Sequence, residues 1–147
     1  MNLITYNIKG CGTSIKRQMV CQLILGGNVD VYFIQESKIQ NMTDSLVKII
    51  WGKYDYGWSS VEVIGRSRGI LTIWMRHKFC SNFSFKGKGY LGVNGLWKGT
   101  NCYIVNVYSS CNNVEKRRLW SKLVQLKNNF PKGEWEVGGL QCHQAGG

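Results

Sequence analysis

Proline is nearly missing from this chain: Pro131 stands alone among 147 residues, against 18 glycines. That balance points to many turns and little long helix. No two of the six cysteines (Cys11, Cys21, Cys80, Cys102, Cys111 and Cys142) form a C-x-x-C pair, which argues against a zinc site. No apolar run approaches the ~20 residues that cross a bilayer, so no membrane partner is expected. The opening Met-Asn-Leu-Ile-Thr-Tyr has neither a basic n-region nor an apolar h-region. Reduced cysteines and an intracellular protein, nuclear or cytoplasmic, are the expectation. Internal repeats and linkers are also missing, and the length fits one domain with a sizeable core.

What is present is a folded, basic composition. Hydrophobic residues make up 44% and aromatics 12%, which suits a globular chain rather than a disordered one. Nineteen Lys and Arg against 8 Asp and Glu give a net charge of +11. The excess favours a polyanion such as nucleic acid, or it is simply a basic, soluble surface; the cations are scattered and leave both open. They are densest over residues 9–17, 66–76, 86–98 and 116–118.

Residues 2–8 read as a first strand ending in a glycine loop at Gly10 and Gly12. Ser14 caps a helix over 15–25 with Met19, Val20, Leu23 and Ile24 on one face, and Gly26-Gly27-Asn28 stops it. Residues 29–35 are a buried strand, apolar almost without a break. Thr43 or Asp44 caps a second helix with Leu46, Val47, Ile49 and Ile50 as its apolar face. Five strand-like runs follow at 54–63, 69–75, 79–85, 90–97 and 101–108, punctuated as in a meander. A helix over 114–127 aligns Leu119, Leu123 and Leu126, and residues 134–137 begin another strand. The order βαβ, antiparallel strands, helix, strand predicts mixed sheets with outer helices.

Four polar sites fall at strand ends, where loops present groups to a ligand. Asn7, in Tyr6-Asn7-Ile8-Lys9-Gly10, is either a turn former or an amide that holds a metal-bound carboxylate or a phosphate. Glu36, in Ile34-Gln35-Glu36-Ser37, is either a solvated loop residue or a ligand for a hard cation such as Mg²⁺. Arg66 and Arg68, between Gly65 and Gly69, make a charged hairpin turn or approach a phosphate backbone. Tyr108, in Asn106-Val107-Tyr108-Ser109, is a packed tyrosine or a phenol that donates to a phosphoryl oxygen.

Taken in order, these motifs resemble the endonuclease/exonuclease/phosphatase superfamily, and more narrowly the endonuclease domain of plant LINE-type (non-LTR) retrotransposons. Trp51-Gly52, Gly95-Leu96-Trp97, Cys111-Asn112-Asn113-Val114-Glu115-Lys116-Arg117 and Gly133-Glu134-Trp135 fit that subgroup too, so the resemblance runs over residues 2–139. It implies an α/β fold of the deoxyribonuclease I type: part of a four-layer α/β sandwich, two mixed sheets flanked by helices. It also implies Mg²⁺-dependent phosphodiester cleavage, in LINE elements a nick in target DNA. On matched positions Glu36 is the metal ligand, Asn7 its polar neighbour and Tyr108 the active-site phenol. Lys9, Arg66 and Arg68 are the nucleic-acid contacts, and DNA is the partner, with no obligate protein partner. Tyr6 stands where the subgroup often has Trp, a packing position.

The pattern breaks at residue 140. The family continues Gly-Asp-Phe-Asn, its Asp handling the attacking water or the general base and its Asn the phosphate. Here the chain reads Gly139-Leu140-Gln141-Cys142-His143-Gln144. Leu140 has no acid–base group, and a Cys142 thiol is a poor substitute for an amide donor. The departure has a shape: Asp-Phe-Asn-Ala-Ile-Arg written GAC TTC AAT GCC ATC AGG, and read from the third base, gives Leu-Gln-Cys-His-Gln. Residues 140–147 are therefore expected to be a frameshifted tail. The family's later strands, second carboxylates and C-terminal His are expected beyond the chain. Of the two histidines, His77 reads as a surface residue and His143 belongs to the tail. A truncated domain follows, with Mg²⁺ binding weak or absent and nicking lost. The alternatives are a non-catalytic basic remnant that binds nucleic acid, or a pseudogene product.

Overall fold

The computed structural model describes residues 1–9, 26–52, 55–62, 69–109 and 112–141. Among the described residues, eight strands fall into two mixed sheets of four. The first contains β1 (Leu3–Asn7), β2 (Val31–Gln35), β4 (Ile70–Met75) and β3 (Tyr56–Val61) in that spatial order. The second runs β5 (Phe79–Gly87), β6 (Tyr90–Trp97), β7 (Thr100–Ser109) and β8 (Glu134–Gln141). Only β1–β2 and β7–β8 pair in parallel; every other pair is antiparallel. Helix α1 (Asp44–Trp51) covers the first sheet and α2 (Asn113–Asn129) the second. The result is the expected four-layer α/β sandwich.

Side-chain alternation builds three apolar layers from these strands. On β2, Val31 and Phe33 enter the seam between the sheets with Trp74, Phe79, Val93 and Ile104, whereas Tyr32 and Ile34 face Val47, Ile50 and Trp51 of α1. On β7, Ile104 enters the seam while Val105 and Val107 meet Leu119 and Leu123 of α2. Being apolar on both faces, β2 and β7 read as continuous hydrophobic runs, and each buried side chain of this size contributes roughly 1.5–3 kcal/mol.

Both described helices start at the residues that can cap them. Thr43 Oγ1 accepts from Leu46 N, and Asn112 Oδ1 accepts from Val114 N at 2.8 Å and Glu115 N at 3.3 Å. Asp44 instead receives the Tyr56 hydroxyl and the Trp58 indole N–H. The helix expected over 15–25 lies outside the described residues.

Three readings are corrected. The five central strands are not one meander: β3 and β4 belong to the first sheet, and the chain crosses to the second between Met75 and Phe79. Lys78 Nζ on the seam-buried Asp30 anchors that crossing at 2.9 Å. Ile49 is 51% exposed, and Trp51, fully buried, completes the α1 face with Val47 and Ile50. Positions 47, 50 and 51 share one side of a 3.6-residue helix, from which 49 points away. Tyr6 is 38% exposed rather than packed, because it lies on the outermost strand of its sheet.

Candidate functional site at the strand ends

β1 and β2 run parallel with Asn7 opposite Gln35, so both strands end at the same edge. β7 reaches that edge from the facing sheet. Its inner-facing series Cys102, Ile104 and Asn106 continues to Tyr108, whose hydroxyl donates to the Glu36 carboxylate. Glu36 and Tyr108 therefore meet across the seam, and Asn7 ends the strand that pairs with β2. Strand alternation would send Glu36 toward α1 after Ile34. Its left-handed backbone (φ 54°) breaks the alternation and aims a buried carboxylate at Tyr108. A non-glycine residue there carries strain of order 1 kcal/mol, a feature common at functional sites.

A buried polar network underneath fixes these positions. Gln35 Nε2 donates to Thr5 Oγ1 on β1 and to Asn106 Oδ1 on β7, both at 2.8 Å. Asn106 Nδ2 donates to Leu71 O at 3.0 Å, Ile34 O at 3.3 Å and Thr72 Oγ1 at 3.3 Å. Three members sit one or two residues before a site residue: Thr5 before Asn7, Gln35 before Glu36, Asn106 before Tyr108. Gln35 Oε1 is buried and, among the described residues, has no hydrogen-bond partner. Sequence reasoning passed over this network; its signal was a polar residue at an inward position of two otherwise apolar strands.

Two glycines let backbone close on Tyr108 from either side. Gly89 (φ 83°) sits in the β5–β6 turn and its carbonyl accepts Tyr108 N at 2.8 Å; a Cβ there would lie 2.8 Å from Tyr108 O. On β8, Gly139 (φ 154°) stands opposite Val107, where a Cβ would fall 1.8 Å from the Val107 carbonyl oxygen. The next pair in register is Tyr108 and Leu140. The position at which the sequence departs from the motif it resembles is thus the strand residue paired with Tyr108.

The remaining candidates are placed less fully. Lys9 is exposed at the same edge, in a left-handed turn (φ 53°) closed by its N–H on Asn7 Oδ1 at 3.0 Å. That bond leaves the Asn7 Nδ2 protons for an anion. Arg66 and Arg68 lie outside the described residues; the flanking Gly69 carbonyl accepts Ser37 N at 3.2 Å. His77 is a surface residue whose ring Nδ1 lies 2.7 Å from Asp55. Among the described residues no three His, Cys, Asp or Glu side chains gather into a metal cage. A single carboxylate in contact with a phenol suits Mg²⁺, which keeps several waters and takes phosphate oxygens, better than Zn²⁺. No helix among the described residues is long and apolar enough to cross a membrane.

No family model matches the sequence, and neither does any curated protein. Solved structures do. TDP2 from D. rerio matches in a form humanized by 14 mutations, with a TM-score of 0.72 at 14% identity, over 93% of this chain and 60% of that one. The same protein complexed with a single strand DNA product gives 0.69 at 15% identity, over 93% and 58%. The human Nocturnin catalytic domain with a bound sulfate anion gives 0.69 at 12% identity, over 93% and 62%. The endonuclease domain of TRAS1, a telomere-specific non-LTR retrotransposon, gives 0.66 at 10% identity, over 93% and 57%. The chain spans about three fifths of the length of these structures. It shares with TDP2, Nocturnin and the TRAS1 endonuclease domain one deoxyribonuclease I-like fold.

Proposed function

We propose that this chain derives from the endonuclease domain of a plant LINE-type retroelement, and that its strand-end site is a Mg²⁺ and phosphate site that no longer cuts. The observation that carries this reading is the Tyr108 hydroxyl on the Glu36 carboxylate, with Asn7 at the adjoining strand end. Glu36 would hold the cation, which when bound would neutralise charge on a phosphodiester and polarise it. Tyr108 would donate to a phosphoryl oxygen, and Asn7 Nδ2 would hold a second oxygen or orient the carboxylate. One fold neighbour, the endonuclease domain of a non-LTR retrotransposon, favours this origin; another, complexed with a single strand DNA product, favours DNA as the ancestral substrate.

Turnover needs a group that takes the proton from water. Leu140, paired with Tyr108, has none where the family resemblance calls for aspartate. Loss of a general base typically costs 10²–10⁴-fold. We further propose that residues 140–147 are read out of frame; the source DNA decides this, and a downstream frame that does not encode Asp-Phe-Asn and its continuation ends the idea. For the function itself the experiment is plasmid nicking by purified protein in Mg²⁺. Negligible nicking is expected. Robust nicking that Glu36→Ala abolishes would refute the loss of activity.

A further inference from the structure

Helix α2 carries five cations, Lys116, Arg117, Arg118, Lys122 and Lys127, and one carboxylate, Glu115. Glu115 is turned to Lys88 Nζ at 3.1 Å. Leu119 and Leu123 bury the inner stripe, and Arg117, Arg118 and Lys122 leave the helix on one flank. With Val114, Ser121 and Gln125 they line an open groove of 440 Å³. None of the eight acidic residues of the chain lines it. Asp30, Asp55 and Glu115 are paired with Lys78, His77 and Lys88, Glu36 takes the Tyr108 hydroxyl, and Asp44 takes Tyr56 and Trp58. Glu134 and Glu136 are on β8, and Glu62 follows β3 in the other sheet. The groove is thus positive without internal compensation.

We infer that this flank of α2 is a docking ridge for the phosphate backbone of a nucleic acid, working without a metal and apart from the strand-end site. Three features point to that occupant. Apart from Val114 the lining is cationic and hydroxyl or amide, the side-chain set that contacts phosphate. From Val114 to Gln125 the helix rises ~16 Å, enough to follow roughly four or five phosphates of one strand. The ridge also leads toward the candidate site. The Glu115–Lys88 pair ties the first turn of α2 to the β5–β6 turn, whose Gly89 carbonyl holds Tyr108 N.

The test is fluorescence anisotropy with a short labelled DNA duplex in EDTA across a salt series. Arg117→Gln/Arg118→Gln/Lys122→Gln is compared with Lys48→Gln/Lys98→Gln/Lys132→Gln, which removes the same charge from exposed positions elsewhere. Thermal melts confirm that both fold. The ridge variant is expected to bind at least tenfold more weakly at low salt, and its log–log salt slope to fall by about 2–3, one per lost phosphate contact. The control variant is expected to lose far less. Equal losses in the two triple variants, no loss in the ridge variant, or tighter binding to polyglutamate than to DNA would overturn the inference. Because the assay excludes metal, failure of the ridge and failure of the Glu36 site are read separately.

Discussion

Gln35 on the first sheet donates to Asn106 on the second at 2.8 Å, and this bond crosses the seam directly beneath the Glu36–Tyr108 contact. Both residues are fully buried, so the distance between the sheets at the candidate site is set by hydrogen bonds and not by apolar packing alone. Such bonds are worth modest net stability, but a lost partner leaves the other group buried and unsatisfied.

Asn106→Leu removes three donor contacts and one acceptor at once. Gln35 Nε2 keeps Thr5, whereas the Ile34 and Leu71 carbonyls lose their side-chain donor. A loss of about 2–4 kcal/mol is expected in urea unfolding, with any cation binding at Glu36 weakened in the refolded protein. Gln35→Met, which also removes the orphaned Oε1, is expected to cost less than Asn106→Leu.

Much of the sandwich was legible because β2 spells out its two apolar faces residue by residue, and because Thr43 precedes a helix that needs a side-chain acceptor. The sheet change was not legible. The turn at Arg76-His77-Lys78 looks locally like any hairpin; the Lys78–Asp30 pair, 48 residues apart in sequence, marks it as a crossing. Gln35 and Asn106 were read as letters of motifs because a hydrogen bond over 71 residues has no local signature. Trp51 was passed over because an aromatic before a glycine looks like a helix end, although position 51 falls on the same face as 47.

Glu36 gives a second prediction. Glu36→Ala and Glu36→Gly both delete the carboxylate, but alanine keeps the left-handed strain and glycine relieves it. Glycine is expected to be the more stable variant by about 1 kcal/mol in chemical denaturation, with neither responding to divalent cation. Equal stabilities would mean that the backbone at 36 is not held in that conformation.

Burial raises the Cys102 thiol to about 11, helped by the nearby Glu136 and Glu134 carboxylates. Its folded value lies above the ~8.5 of a free thiol. The stability it contributes is therefore complete below about pH 8.5 and is lost as pH rises toward 11. In the folded protein at pH 8 a thiol reagent should modify exposed Cys80 well before Cys102, and Cys102→Ala should flatten the alkaline fall in stability. Comparable rates at the two thiols would contradict this.

Asp30 works at the acid end. Burial pushes its carboxyl up, but the Asn2 amide, the Lys78 ammonium and the chain terminus together outweigh burial and hold it below the usual carboxylate range. A lowered folded value gives stability that is present above the unfolded ~3.9 and lost as pH falls through the folded value. Asp30→Asn should be less stable than the parent at pH 7 and converge with it as pH falls through the lowered folded value of the carboxyl. Lys78 is partly exposed, so added salt should shrink the difference.

The account rests on a cation held at Glu36 against Tyr108, and Mn²⁺ in place of Mg²⁺ makes that visible by electron paramagnetic resonance. Weak, saturable Mn²⁺ binding is predicted for the parent chain, reduced in Tyr108→Phe and abolished in Glu36→Ala, with all three proteins folded by thermal melt. Mn²⁺ binding of equal strength in Glu36→Ala and in the parent would contradict it.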